Sequence, residues 1–218
     1  MKEEIKKLLN VKGALAENEV KDLLKAFNII TTKYEVVRNL NDLKKLKLKF
    51  PVALKVCSRE ILHKSDVGGV KLGINDFYEL QKEFNAFKKK FPKENLLVEQ
   101  MEDKGVEIII GLVNDPTFGL SIMFGTGGIF TELYKDVVFR VVPIDRYDAE
   151  KMVEEIKGKK LLEGFRGIKS NKHLVIELLL KVSKIGKELI EKIDQMDLNP
   201  VFIYATKYCV VDAKLILK

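Results

Sequence analysis

Lys55 stands inside an apolar run, Pro51-Val52-Ala53-Leu54-Lys55-Val56-Cys57. An ammonium in such a strand is costly unless it reaches an anion or water. A flexible cationic stem suits phosphate; snorkelling from an edge strand is the plainer account. The polar stretch His63-Lys64-Ser65-Asp66-Val67-Gly68-Gly69-Val70 follows, with the only histidine in the first three quarters of the chain. Gly68 and Gly69 close a loop, and residues 70–74 read as a returning strand. This stretch is the first reason to expect phosphate chemistry.

Other residues point the same way. Gly125-Thr126-Gly127-Gly128 fits neither the dinucleotide fingerprint nor the P-loop. Its amides offer an anion nest, or simply a turn between strands. Asn199 and Asp212 lie 13 residues apart at the two ends of a predicted hairpin. An amide oxygen and a carboxylate suit Mg²⁺ shared with phosphates. A turn asparagine and a strand-end aspartate are the bland alternative, although Asp212 inside Val210-Val211-Asp212-Ala213 needs a partner. Glu99, with Gln100 and Met101, ends a strand at a lobe break and could read an adenine edge and a ribose. Arg140, on its own strand, could clamp a transferring phosphoryl group. No Ser-His-Asp arrangement and no thiol-catalysis context accompany them.

These residues need elements to position them. Leu15, Val20, Leu23, Leu24 and Phe27 fall near helical spacing and predict a helix over 16–29. Asp76 with Glu79 predicts a capped helix over 77–89. Strands are expected at 31–37, 52–57, 70–74, 96–101, 106–113 (with Glu107 at its start), 120–124 and 137–142. Helices are expected through 145–194, with a break before Ser183 as an N-cap, and a strand pair follows at 197–204 and 209–217. The strands between 96 and 142, joined by the last two, predict a mixed or antiparallel sheet with helices on one face. A boundary near 92–104 makes two α+β lobes, and the cleft between them is a natural ligand site. The division expected is an arm at 1–14 and lobes at 15–100 and 101–218.

Composition sets the outer limits. At 218 residues, with 46% hydrophobic and 33% charged, the chain is globular and has room for one or two domains. No apolar run is long enough to span a bilayer, and no signal-peptide core opens the chain. Two cysteines, Cys57 and Cys209, lie in apolar runs and read as buried thiols of a reducing compartment. With only two histidines besides, a zinc site is not expected. The net charge of +7 comes mostly from lysines interleaved with glutamates, which is a solvated surface favouring anionic substrates. Nucleic-acid binding rests on that charge alone.

Taken in order, these segments resemble the beta subunit of ADP-forming acetate–CoA ligase, a family related to succinyl-CoA synthetases. The similarity runs through 51–55, 63–70, 111–119 and 122–130, through Glu132, Asp136 and Arg140, and through 197–200 with 211–213. The resemblance implies an α+β ATP-grasp fold, two lobes around a nucleotide. It implies that Lys55 contacts phosphate and that Glu99, Gln100 and Met101 line the adenine and ribose pocket. Glu107, Gly127 and Gly128 join the nucleotide-binding set. Asn199 and Asp212 fall on Mg²⁺ ligands. His63 falls on a histidine that carries phosphate, with Lys64 to stabilise the phosphorylated form and Asp66 to orient the ring. Gln195 stands where the family commonly has an acidic residue. The implied reaction is acyl-CoA + ADP + Pi ⇌ carboxylate + CoA + ATP. The implied partner is an alpha subunit with a CoA-binding domain and its own phosphohistidine, as α2β2, in the cytoplasm. A succinyl-type subunit and a non-catalytic nucleotide-binding subunit are the alternatives.

Overall fold

The computed structural model describes residues 7–128, 136–164 and 170–218. Its strands form two sheets, in which all ladders between strands are antiparallel. The smaller contains β2 (Tyr34–Val37), β3 (Val52–Cys57), β4 (Val70–Ile74) and β5 (Asn95–Gln100), ordered β2-β5-β3-β4. The larger contains β1 (Gly13–Ala14), β6 (Val106–Asp115), β7 (Gly119–Thr126), β8 (Val137–Val141), β9 (Ile193–Ile203), β10 (Tyr208–Val210) and β11 (Ala213–Leu217). Its order is β1-β11-β9-β6-β7-β8, with β10 also on β9.

β3 is buried along its whole length because it lies between β4 and β5. Strand alternation divides its side chains. Val52, Leu54 and Val56 join a core with Leu80, Phe84 and Phe87 of helix α3 (Phe77–Lys90). Ala53, Lys55 and Cys57 take the opposite face. The same alternation on β5 puts Leu96 and Val98 in that core and Leu97 and Glu99 on the other face. Asp76 caps α3 by accepting from the Glu79 amide, while the Glu79 side chain accepts from Asn75 rather than Asp76.

Helix α1 (Glu17–Ala26) belongs by sequence to the first lobe, yet its apolar face joins the larger core. Val20, Leu23 and Leu24 are buried there among β9 and β11 residues. Each such side chain contributes roughly 1.5–3 kcal/mol relative to exposure. A short helix, α2 (Leu40–Leu43), follows β2. Helices α4 (Arg146–Glu155), α5 (Lys159–Leu162) and α6 (Lys172–Glu188) bury Met152, Leu162 and Leu179 in the larger core. No helix among the described residues is long and apolar enough to cross a membrane.

Several expectations need correction. The strand expected at 96–101 lies in the smaller sheet, paired with β2 and β3. The helix break before Ser183 is absent, because α6 runs through it. The Ser183 hydroxyl is buried and accepts from the Ile144 amide at 2.9 Å, a tertiary bond in place of a cap. The expected helix also stops short of 194, where β9 has already begun. Gly13 and Ala14, expected in a polar arm, pair with Leu217 and Ile216. Glu132, Ile129 and Phe130, and the loop residues Phe165 to Gly167, lie outside the described residues.

Candidate functional site

The alternation on the smaller sheet places Lys55 and Glu99 on one face of adjacent strands. Lys55 faces Leu97 in the register and Ala53 faces Glu99, so the two charged side chains meet diagonally. Their contact is 2.6 Å, Lys55 Nζ to Glu99 Oε2, outside hydrogen-bond geometry. From α1 come Glu17 and Lys21, one turn apart and 2.9 Å from each other. The His63 loop contributes Lys64. The entry to β11 contributes Asp212.

Together these make a cluster of three ammoniums and three carboxylates. Lys21 is fully buried, and Lys55, Lys64, Glu17 and Glu99 are nearly so. Lys21 Nζ donates to Thr32 Oγ1 at 2.8 Å, to the Val211 carbonyl at 2.9 Å and to Glu99. Lys55 Nζ donates to Glu17 Oε1 at 2.9 Å, the Val211 carbonyl at 3.2 Å and Asp212 Oδ1 at 3.3 Å. Lys64 Nζ donates to Asp212 Oδ1 at 2.8 Å and to Glu17. Removing a charged group from water costs several kcal/mol, and the balance of signs is what lets six lie so close.

Burial opposes each charge, and the partners decide the outcome. For Glu17, burial is outweighed by Lys55, Lys21 and Lys64, and its pKa lies well below the ordinary value. For Lys55, Glu17, Glu99 and Asp212 outweigh burial and raise it. Lys64 is raised by Glu17 and Asp212 in the same way. Asp212 goes the other way. Burial and the Glu17 charge push it up, against Lys55 and Lys64.

The cluster opens onto a cleft of about 390 Å³, a size that suits a small molecule. Of the residues expected from sequence, Lys55, Lys64, Glu99, Gln100, Met101, Glu107, Asn199 and Asp212 line it. Asn199 reaches it because the terminal strands pair antiparallel as expected, although the strand expected at 209–217 is broken at 211–212, where the Asn199 amide donates to the Asp212 carbonyl at 3.1 Å. Glu99 lines the cleft and also braces the cluster, its carboxylate enclosed by Lys21, Lys55 and Thr32.

The remaining expected residues lie outside the cleft lining. His63 is exposed, but the next two residues, Lys64 and Ser65, line the cleft. Asp66 is exposed and no hydrogen bond joins its side chain to His63 among the described residues. Gly127 donates its amide to the Glu107 carbonyl at 2.8 Å, so this N–H is not free for an anion. Gly128 lies against the Glu107 carboxylate, at the edge of the cleft lining. Arg140 pairs with Glu155 on α4, away from the cleft. Asp136 ties β7 to the α4–α5 turn, accepting from Thr126 Oγ1 and from the amides of Lys157 and Gly158.

Glu17, Lys21 and Thr32 are the members that the sequence reading missed. A signal existed. Glu17, Val20, Lys21 and Leu24 follow helical spacing, so a charged pair occupies the same stripe as two core residues.

Asn199 and Asp212 offer an amide oxygen and a carboxylate, the hard oxygen donors that Mg²⁺ takes. Among the described residues no group of three or more His, Cys, Asp or Glu side chains is placed to hold a metal. Two hard oxygen donors at a cleft are still a fitting set. Mg²⁺ is commonly held by one or two side chains, with water and substrate phosphates completing its shell.

Comparison with known proteins bears on the whole chain. Residues 7–217 match the family model of an ATP-grasp domain. The chain is 42% identical to the beta subunit of acetate–CoA ligase (ADP-forming) II of Pyrococcus furiosus, covering 94% of this chain and 92% of that one. It is 41% identical to acetate–CoA ligase (ADP-forming) II of Archaeoglobus fulgidus, over 93% of this chain but only 30% of the longer relative. Among solved structures, acetyl-coenzyme A synthetase 1 of Ca. Korarchaeum cryptofilum aligns with a TM-score of 0.81 and 40% identity, over 94% of this chain and 93% of that one. That structure is a complex with coenzyme A and Mg-AMPPCP, its phosphohistidine segment pointing towards the nucleotide binding site.

Proposed function

Since the chain belongs to the ATP-grasp family, among the beta subunits of ADP-forming acetate–CoA ligases, we propose that it transfers a phosphoryl group between His63 and ADP. A terminal oxygen of the ADP β-phosphate bonds to the phosphorus of phosphohistidine. The N–P bond breaks and its electron pair returns to the imidazole. The products are ATP and free His63. In the full reaction, acyl-CoA + ADP + Pi gives carboxylate + CoA + ATP.

The observation that carries this reading is the buried cluster at the cleft beside the His63 loop. Lys55 is its phosphate-binding cation, kept protonated by Glu17, Glu99 and Asp212. Glu17 and Lys21 position it without touching the nucleotide. Gln100, Met101 and Glu107 line the part of the cleft proposed for base and ribose. Asn199 and Asp212 would hold Mg²⁺, which supplies charge neutralisation to the phosphates. The Mg-AMPPCP complex of the Korarchaeum relative supports that assignment. For the proposed lobes at 15–100 and 101–218, the passage of the chain from one sheet to the other after β5 supports the boundary near 100, whereas α1 packs with the larger core.

The CoA half of the reaction is assigned to a separate alpha subunit, with α2β2 as the proposed assembly. Neither sheet here is the parallel, doubly wound kind that binds dinucleotides. The beta subunit from Pyrococcus, matched over nearly its whole length, supports the division. The two free, buried cysteines support a cytoplasmic setting.

The test is labelling from γ-labelled ATP with Mg²⁺, in wild type and His63→Ala, with and without the alpha subunit. Acid-labile, base-stable label on this chain, lost in H63A, is the expected result. Binding of ATP without label in any mixture would overturn phosphoryl transfer and leave a nucleotide-binding subunit.

A further inference from the structure

The residue after His63 is anchored where a metal would bind. Lys64 is buried, whereas His63, Ser65 and Asp66 on either side are exposed. Its Nζ reaches Asp212 Oδ1 at 2.8 Å and also contacts Glu17. The backbone bonds of the turn stay within the turn and the adjacent β3, whose Val56 amide donates to the Gly69 carbonyl at 2.8 Å. The Asp66, Gly68 and Gly69 amides donate to the His63, Ser65 and Lys64 carbonyls. Lys64 therefore does what those bonds do not. It joins the loop between two strands of the smaller sheet to a residue beside β11 of the larger one.

We infer that Lys64 is a tether on the His63 turn, released when a divalent cation occupies Asp212. This rests on the assignment of Asp212 to the metal in the proposed function. Asp212 Oδ1 accepts from both Lys55 and Lys64. A divalent cation held by the Asp212 carboxylate would compete with both ammoniums and repel them. Among the described residues, Lys55 keeps Glu17 and Glu99 as partners, but Lys64 keeps only Glu17. Lys64 is thus the cation that yields. The arrangement couples loading of the cleft to freedom of the phosphate carrier, and it makes Lys64 a positioning residue rather than a phosphate ligand.

Hydrogen exchange over residues 61–70 tests this on the full chain, without ligand and with Mg²⁺ and ADP, in wild type, Lys64→Met and Lys64→Arg. In wild type, Mg²⁺·ADP should speed exchange of the turn about fivefold or more, the low end of typical site-to-site couplings. K64M should exchange at the faster rate without ligand and respond no further, and K64R should restore the slow rate. Linkage requires the reciprocal effect, so K64M should bind Mg²⁺·ADP more tightly by a similar factor. Wild-type exchange in ligand-free K64M, slower exchange on adding Mg²⁺·ADP, or weaker binding by K64M would each overturn the tether. If K64M fails to fold, the direction of the wild-type response decides. Failure of wild type to bind Mg²⁺·ADP would overturn the functional reading instead, while ligand-free K64M still reports whether Lys64 holds the turn.

Discussion

Lys55 and Arg140 are both cations within β-strands, and the fold treats them in opposite ways. Lys55 is on a central strand, buried, with three carboxylates around one ammonium. Arg140 is on the edge strand β8, partly exposed, and among the described residues pairs with the one carboxylate of Glu155. One is embedded in a network that extends to the wall of a cleft. The other is an ion pair on the surface. The difference teaches that a cation within a strand marks a site when the sheet buries it and other elements supply more carboxylates than it needs. The strand pattern alone does not separate the two.

The largest expected effect tests the buried side of that difference. Glu17→Gln leaves three ammoniums facing two carboxylates, and breaking such a buried pairing should cost about 3–5 kcal/mol in urea unfolding. A loss no greater than that of a surface pair would mean the cluster is not held by charge. Lys21→Met should follow at about 3 kcal/mol, because it frees Glu99 and Thr32 from their shared donor.

Acid should act through the same carboxylate. The folded-state pKa of Glu17 is lowered, so its stabilisation is complete above the ordinary value of 4.5 and is lost as pH falls through the lower folded value. The wild-type urea midpoint should therefore fall on acidification below pH 4.5, with a shallower fall in E17Q. Parallel curves for the two proteins would remove Glu17 as the source. The smallest effect belongs to Arg140→Ala, which should cost less than about 1 kcal/mol as a partly exposed pair. A cost equal to that of E17Q would erase the distinction between the two regions.

Much of the site was legible because it depends on local pattern. The apolar run around Lys55, the glycine pair that follows it and the hairpin linking Asn199 to Asp212 are all short-range features. Period-two alternation then determines which side chains share a face. The rest depends on contacts between distant segments. Nothing local told β5 to leave the strands that follow it and pair with β2 and β3. Ser183 reads as a cap from its type, but its hydroxyl bonds to an amide 39 residues away. Glu17 and Lys21 share the helical stripe of Val20 and Leu24, but which distant charges they meet depends on how that face packs. Gly127 reads as an anion nest, and its amide is already taken by Glu107.

The most direct measurement is Mg²⁺·ADP affinity by calorimetry for wild type, Lys55→Met and R140A, each checked for folding. Loss of a charged hydrogen bond to phosphate, with carboxylates left behind, should weaken K55M about tenfold or more. R140A should bind as wild type does. Unchanged affinity in K55M, with a loss in R140A, would place the phosphate site at the edge strand and contradict the assignment of the buried cluster.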